Sequence, residues 1–304
     1  MKKRAVSSLL ASLAVVSFIL PALAADAPEL EETSPVSVEE TVEWAPFQVD
    51  GELRQSVEYE NRNGVTYVTV SSFVSMLDPE AMVEEENGAV TVNAARVSQV
   101  EDGLGNTATV VEETLSLTVQ AGASYIVANG RYLYAKDDLI LLGDSVAAPV
   151  RLLARVFNLD VGYDGEAGTV VLNHIGEGVY LLPGDSYYNG DTLYWLSRII
   201  NAESGNQVLE GRIAVGNVVM NRVNHPKFPN TLYDVLFQKN QFSPAASGSI
   251  YREPNWESMV AAMLVLDGAQ VVPEALFFNG AGARSYASKH RTYVTTIGDH
   301  DFYK

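Results

Sequence analysis

Residues 191–223 read DTLYWLSRIINAESGNQVLEGRIAVGNVVMNRV, and the spacing of apolar residues in this stretch sets the character of the last third of the chain. Leu193, Leu196, Ile199 and Ile200 fall at i, i+3, i+6 and i+7, one face of a helix. Asp191 and Thr192 offer caps ahead of it. Ser204-Gly205 should end it, because glycine takes the left-handed conformation of a helix C-cap without steric cost. Glu203 then lies in the last turn, where the negative end of the helix dipole raises a carboxyl pKa slightly. A second helix is predicted from Leu209 to Val223, burying Ile213, Gly216, Met220 and Val223. Thr231 can cap a short third helix containing Leu232, Val235 and Leu236, and Trp256 to Leu266 reads as an apolar fourth ended by Gly268. Residues 192–304 are thus expected to form a small, mostly helical domain.

Upstream, residues 175–191 carry Gly176, Gly178, Pro183, Gly184 and Gly190 and read as an interdomain linker. From 47 to 174 the hydrophobic period changes from helical to two, as in Val65-Thr66-Tyr67-Val68-Thr69-Val70 and Ala89-Val90-Thr91-Val92. Between those runs, Ser71 to Leu77 suggests one or two helical turns with a serine cap. The same order returns as Asp144–Val150, Arg151–Phe157, Val161-Gly162-Tyr163, the turn at 164–168 and Thr169–Leu172. Strand, short helix, strand, turn, strand appears twice, an imperfect internal repeat. The expected class is α+β, a small strand-rich α+β domain followed by the mostly helical one.

The first 46 residues differ from both. Lys2, Lys3 and Arg4 precede an apolar run from Leu9 to Leu20, then Pro21 and the small-x-small site Ala22-Leu23-Ala24, so residues 1–24 are expected to be a cleaved signal peptide. That run is short of the roughly 20 residues a membrane helix needs, and no second long apolar run follows. Residues 25–46 hold seven acidic residues and no basic one, a flexible acidic leader. The expected location is secreted or extracytoplasmic, in association with the cell wall.

Charge and cysteine content narrow the function. The chain is 304 residues long with a formal net charge of −18. Residues 25–191 hold 7 basic and 29 acidic residues, whereas residues 192–304 hold 10 and 9. The near-neutral part can approach an anionic polymer that the acidic part would repel, and neither is basic enough to suggest nucleic acid. With no cysteine there is no disulfide and no thiolate nucleophile, which excludes cysteine peptidase chemistry.

Ordered motifs in the last third carry a family resemblance. They are Ile199-Ile200-Asn201-Ala202-Glu203-Ser204, Glu210-Gly211, Ala214 to Val223, Phe228-Pro229-Asn230-Thr231, Gln241-Phe242-Ser243, Phe277-Phe278-Asn279 and Ile297 to Tyr303. From about Leu193 to Tyr303 the chain resembles the cell wall hydrolases of the spore-cortex-lytic SleB type. The resemblance implies a lysozyme-like fold, no metal or other cofactor, and cleavage of the β-1,4 bond between N-acetylmuramic acid and N-acetylglucosamine in peptidoglycan glycan strands. It implies lytic transglycosylase action, with Glu203 as acid and then base. The substrate's own 6-hydroxyl closes on the anomeric carbon, so no second carboxylate is needed.

Other residues keep two readings each. Glu210 caps or pairs at the start of the second helix, or contacts substrate. Gln241, with Phe242 beside it, offers a hydrogen bond to a sugar or satisfies loop backbone. Ser243 caps a turn or orients Glu203, and Asn279 holds an acetamido group or closes a turn. Tyr293 belongs to cleft or core. Phe277, Phe278 and Trp256 are read as core and His300 as structural.

Residues 47–174 resemble the copper amine oxidase N-terminal-like (stalk) domain through Ala148-Pro149-Val150-Arg151-Leu152-Leu153 and Val161-Gly162-Tyr163-Asp164; the first repeat lacks the Pro and Arg. His174 is the one histidine in residues 1–200, too few donors for copper, so a spacer or wall-adhesion role follows. Two other functions compete with the glycosidase. One is a zinc N-acetylmuramoyl-L-alanine amidase, for which His225, His290 and His300 lack paired spacing. The other is a non-catalytic wall-binding module.

Overall fold

The computed structural model describes residues 43–101 and 107–304; the expected signal peptide and most of the acidic leader lie outside them. In chain order the first half holds β1 (Glu43–Val49), β2 (Glu52–Arg62), β3 (Val65–Thr69), α1 (Val70–Leu77), β4 (Met82–Glu86), β5 (Ala89–Glu101), β6 (Thr107–Gln120), β7 (Tyr125–Ala128) and β8 (Arg131–Tyr134). It continues with β9 (Ile140–Leu142), β10 (Ser145–Pro149), α2 (Val150–Val156), β11 (Leu159–Asp164) and β12 (Thr169–His174). One sheet runs β11-β12-β1-β2-β3-β10-β9 and a second β4-β5-β6-β7-β8. All pairings are antiparallel except β1 with β12.

The imperfect repeat is visible as β3-α1-β4-β5 and β10-α2-β11-β12. β3 and β10 pair antiparallel, so the two copies meet in the larger sheet, and Phe73 of α1 stacks edge-on with Phe157 after α2. Each helix starts one residue earlier than the sequence suggests. The expected serine cap on α1 is absent: Thr69 is the N-cap, and its hydroxyl donates to Ser72 Oγ at 2.7 Å and leaves the helix backbone uncapped. Strand β1 begins at Glu43, inside the stretch expected to be leader.

The second half holds α3 (Gly184–Tyr187), α4 (Gly190–Ser204), α5 (Leu209–Val223), α6 (Leu232–Leu236), α7 (Ser243–Ser247), α8 (Trp256–Leu266), β13 (Phe277–Gly280), α9 (Tyr286–His290), β14 (Tyr293–Ile297) and β15 (His300–Tyr303). α4, α5 and α8 pack together around Leu196, Ile199, Ile200, Ile213, Val219 and Leu264. α5 is buried from Gly211 to Val219 on every side, a wider face than the predicted one, while Met220 and Val223 are only half-buried. The cap of α4 is Asn189, whose side chain accepts from Thr192 N, instead of Asp191 or Thr192. Gly205 keeps a right-handed conformation (φ −62°) and is needed for another reason: a Cβ there would collide with the Asn201 carbonyl. The domain also carries a three-stranded sheet, β13-β15-β14, that the helical reading missed.

The stretch read as an interdomain linker makes packed contacts. Tyr180 and Leu181 are buried in the core of the strand-rich half, and α3 follows directly. Tyr188 accepts a hydrogen bond from Tyr132 N at 3.1 Å and donates to Asp267. Asp267, at the end of α8, also pairs with Arg131 of β8, and both side chains are buried. Arg131 in turn lies 3.3 Å over the Tyr187 ring. The two halves therefore share a buried polar contact.

Candidate active site

Glu203 projects from the last turn of α4 into a cleft of about 460 Å3. α5 contributes Arg222, the segment around α7 contributes Asn240, Gln241, Phe242 and Ser243, and β13 and β15 contribute Phe278, Asn279 and His300. Glu203 is the single carboxyl among the described residues that line it. Burial pushes the Glu203 carboxyl up to about 7, and the Arg222 guanidinium pulls against that rise. The helix dipole invoked from sequence is thus secondary to desolvation. Arg222 is only 4% exposed, and burial brings its own pKa down to about 10, so it remains cationic at neutral pH.

This pairing has a chemical consequence. A carboxyl that is half protonated near neutrality can donate a proton, and the carboxylate left behind faces a fixed cation. Arg222 is held for that role by donating from Nε to Leu276 O at 2.7 Å, with its guanidinium 5.0 Å from the centre of the Phe242 ring. Arg222 falls within the Ala214 to Val223 motif, which by itself assigns it no role. The available signal was a cation near the end of an otherwise apolar helix, which has to be paired or functional when buried.

Of the residues singled out from sequence, Gln241, Phe242, Ser243 and Asn279 stand with Glu203 in the cleft. Gln241 is exposed and its side chain makes no hydrogen bond among the described residues, leaving its amide available to a ligand. Ser243 is the exposed first residue of α7. Phe242 is buried and forms part of the floor. Asn279 is partly committed: its Oδ1 accepts from Ser285 Oγ at 2.6 Å and its Nδ2 donates to Gly280 O.

Tyr293 is not among the cleft residues. It lies on β14, 55% exposed, with its hydroxyl bonded to Thr296. Trp256, read as core, is 62% exposed, with its edge against Tyr132. Phe278 serves both core and cleft. His300, read as structural, faces the cleft with its ring edge-on to Phe278, and burial lowers its pKa. Glu210 is exposed in the first turn of α5 and is not part of the cleft. Among the described residues, no group of three His, Cys, Asp or Glu side chains is placed to hold a metal ion.

A second chamber of about 820 Å3 adjoins the first, with Arg222, Asn240, Gln241 and Phe278 lining both.

Comparison with known proteins gives a match in each half of the chain. Residues 206–303 match the family described as Cell Wall Hydrolase, and residues 48–172 match the copper amine oxidase N-terminal domain. Both resemblances read from the sequence are therefore found, one after the other in a single chain. The relatives include the spore cortex-lytic enzyme of Bacillus subtilis, 31% identical over 122 residues, which are 40% of this chain and 39% of that protein. Another is the spore cortex-lytic enzyme of Oceanobacillus iheyensis, 30% identical over 118 residues, 38% of this chain and 43% of that protein. The chain thus spans about two fifths of the length of these relatives. Among solved structures it is similar to the catalytic domain of the germination-specific lytic transglycosylase SleB from Bacillus anthracis, 29% identical, covering 40% of this chain and 100% of that one, with a TM-score of 0.37. The family match begins just after Glu203, so the reading of that residue rests on the cleft itself.

Proposed function

We propose that the chain is an exported peptidoglycan-cleaving glycosidase, a lytic transglycosylase acting on the bond between N-acetylmuramic acid and N-acetylglucosamine. The observation that carries this reading is one half-buried carboxyl, raised to about 7, in an open cleft without a second acid beside it among the described residues. Glycosidases that rely on two carboxylates place both across the scissile bond. Here Glu203 protonates the glycosidic oxygen as the bond breaks and positive charge develops on the sugar ring. Its carboxylate, opposed by Arg222, then accepts the proton of the substrate's own 6-hydroxyl as that oxygen closes on the anomeric carbon. The spore cortex-lytic relatives support the substrate class.

Glu203→Gln keeps the size of the side chain and removes the transferable proton. It should abolish release of soluble fragments from purified sacculi, a loss of at least about 1,000-fold, with the fold retained by circular dichroism. Wild-type products should carry anhydro ends, lighter by one water than hydrolysed ends in mass spectra. Full activity in the variant would refute the assignment.

A further inference from the structure

The turn between β14 and β15 is tied to the connection between α4 and α5 by a reciprocal pair of hydrogen bonds. Gln207 Nε2 donates to Asp299 Oδ2 at 2.8 Å, and Asp299 N donates to Gln207 Oε1 at 3.0 Å, across 92 positions of chain. Gly298 and Asp299 make the turn, since Ile297 and His300 face each other across the hairpin. Gly298 stands at φ +55°, and a Cβ there would run into Gln207 Oε1, so the glycine permits both the turn and the close approach of that side chain. Gln207 lies four residues after Glu203, with its own N–H donating to Ser204 O at 2.9 Å. Asp299 comes directly before His300, which lines the same cleft as Glu203. His300 Nδ1 is buried without a hydrogen-bond partner, so the ring is placed by its backbone and by packing against Phe278. β15 pairs with β13, whose Phe278 and Asn279 also line the cleft, so this strand wall follows the turn. Near the start of β13 the same wall is held by Arg222, which donates to Leu276 O.

Resting on the glycan-cleaving reading, we propose that Gln207 and Asp299 are positioning residues, whose paired hydrogen bonds brace the strand wall of the cleft against the end of α4 and fix its distance from Glu203. Asp299 is exposed and Gln207 half-buried, so the pair contributes little to stability, and its loss is felt as geometry. A reacting group displaced by about 1 Å can lose roughly 100-fold in rate. Glu203 also holds its proton because it is withdrawn from water, and a wall that swings away would hydrate it. The other titratable groups of the cleft are Arg222 on α5 and His300 on β15, and of the two only His300 rides on the braced wall.

Three forms of the full chain test the brace: wild type, Gln207→Leu, and Gln207→Glu combined with Asp299→Asn. Leucine has similar bulk and makes no hydrogen bond. The double substitution keeps the formal charge and exchanges donor and acceptor, so that the amide at 299 donates to the carboxylate at 207. In Gln207→Leu, kcat on solubilised glycan strands should fall about tenfold, with KM changing by less than about twofold. The alkaline limb of kcat/KM should move about one pH unit toward acid, while the melting temperature stays within about 2 °C of wild type. The double variant should recover both rate and limb. Unchanged kcat and limb in Gln207→Leu, a slower rate with the limb unmoved, or a loss that the double substitution does not repair, would overturn the brace. If wild type itself releases nothing from sacculi, the glycan-cleaving reading fails, and carbon NMR titration of the Glu203 carboxyl in the same three proteins decides the brace separately. A lower midpoint in Gln207→Leu that returns in the double variant supports it, and three equal midpoints overturn it.

Discussion

At the scale of the residue, the decisive quantity is the work of burying Glu203. An unfolded glutamate titrates near 4.3, whereas in the cleft burial carries it to about 7. Between those values the folded chain holds a proton that the unfolded chain has lost, so stability falls as pH rises through this window and levels off above it. The loss amounts to about 4 kcal/mol at full extent. Glu203→Gln lacks this slope, so it should be more stable than wild type at pH 8, with the difference vanishing near pH 4. Thermal melts of the two proteins across that range measure it, and parallel curves would show that Glu203 is not desolvated. The position of Glu203 was legible in the sequence because a helix stop at Ser204-Gly205 places it in the last turn. The cause of its pKa was not, because desolvation comes from residues distant in the chain: Phe278 and His300 arrive on strands absent from the sequence reading.

Among elements, the contact of α4, α5 and α8 sets the angle from which Glu203 enters the cleft. Gly216 is the close point. A Cβ there would sit 2.9 Å from Ile200 Cδ1 of α4 and 2.9 Å from Val265 Cγ2 of α8, wedged between two helices. Gly216→Ala gains helix propensity of about 1 kcal/mol but overpacks a buried seam at about 1–3 kcal/mol. The melting temperature should fall by a few degrees, and activity should fall further than stability because α4 shifts under Glu203. A raised melting temperature would contradict this packing. The long helices were legible because their apolar residues keep a helical period over three or four turns. The strands at β13–β15 were not, since their four or five residues mix aromatic and polar types without alternation. The repeat was read correctly as an order of elements. The pairing of β3 with β10, which joins its copies, depends on residues about 80 positions apart and leaves no local trace.

For the whole molecule, the buried Arg131–Asp267 pair with Tyr188 ties the strand-rich half to the end of α8. Asp267→Ala would strand a buried guanidinium, at a cost of about 3–5 kcal/mol. It should separate thermal unfolding into two transitions, whereas an unchanged single transition would mean that the halves are held by other contacts. No sequence pattern announced this pair, because its two residues lie 136 positions apart in the chain. The glycine-rich composition of 175–191 marks a linker without showing that Tyr180, Leu181 and Tyr188 anchor it. Bond cleavage by this chain requires a protonated Glu203 in its first step, and the pH dependence of kcat/KM on solubilised glycan strands tests that most directly. The rate should hold up to about pH 7 and then fall tenfold for each further unit, with Glu203→Gln inactive throughout. A rate that stays constant or rises from pH 7 to 9, or a variant that retains it, would contradict the account.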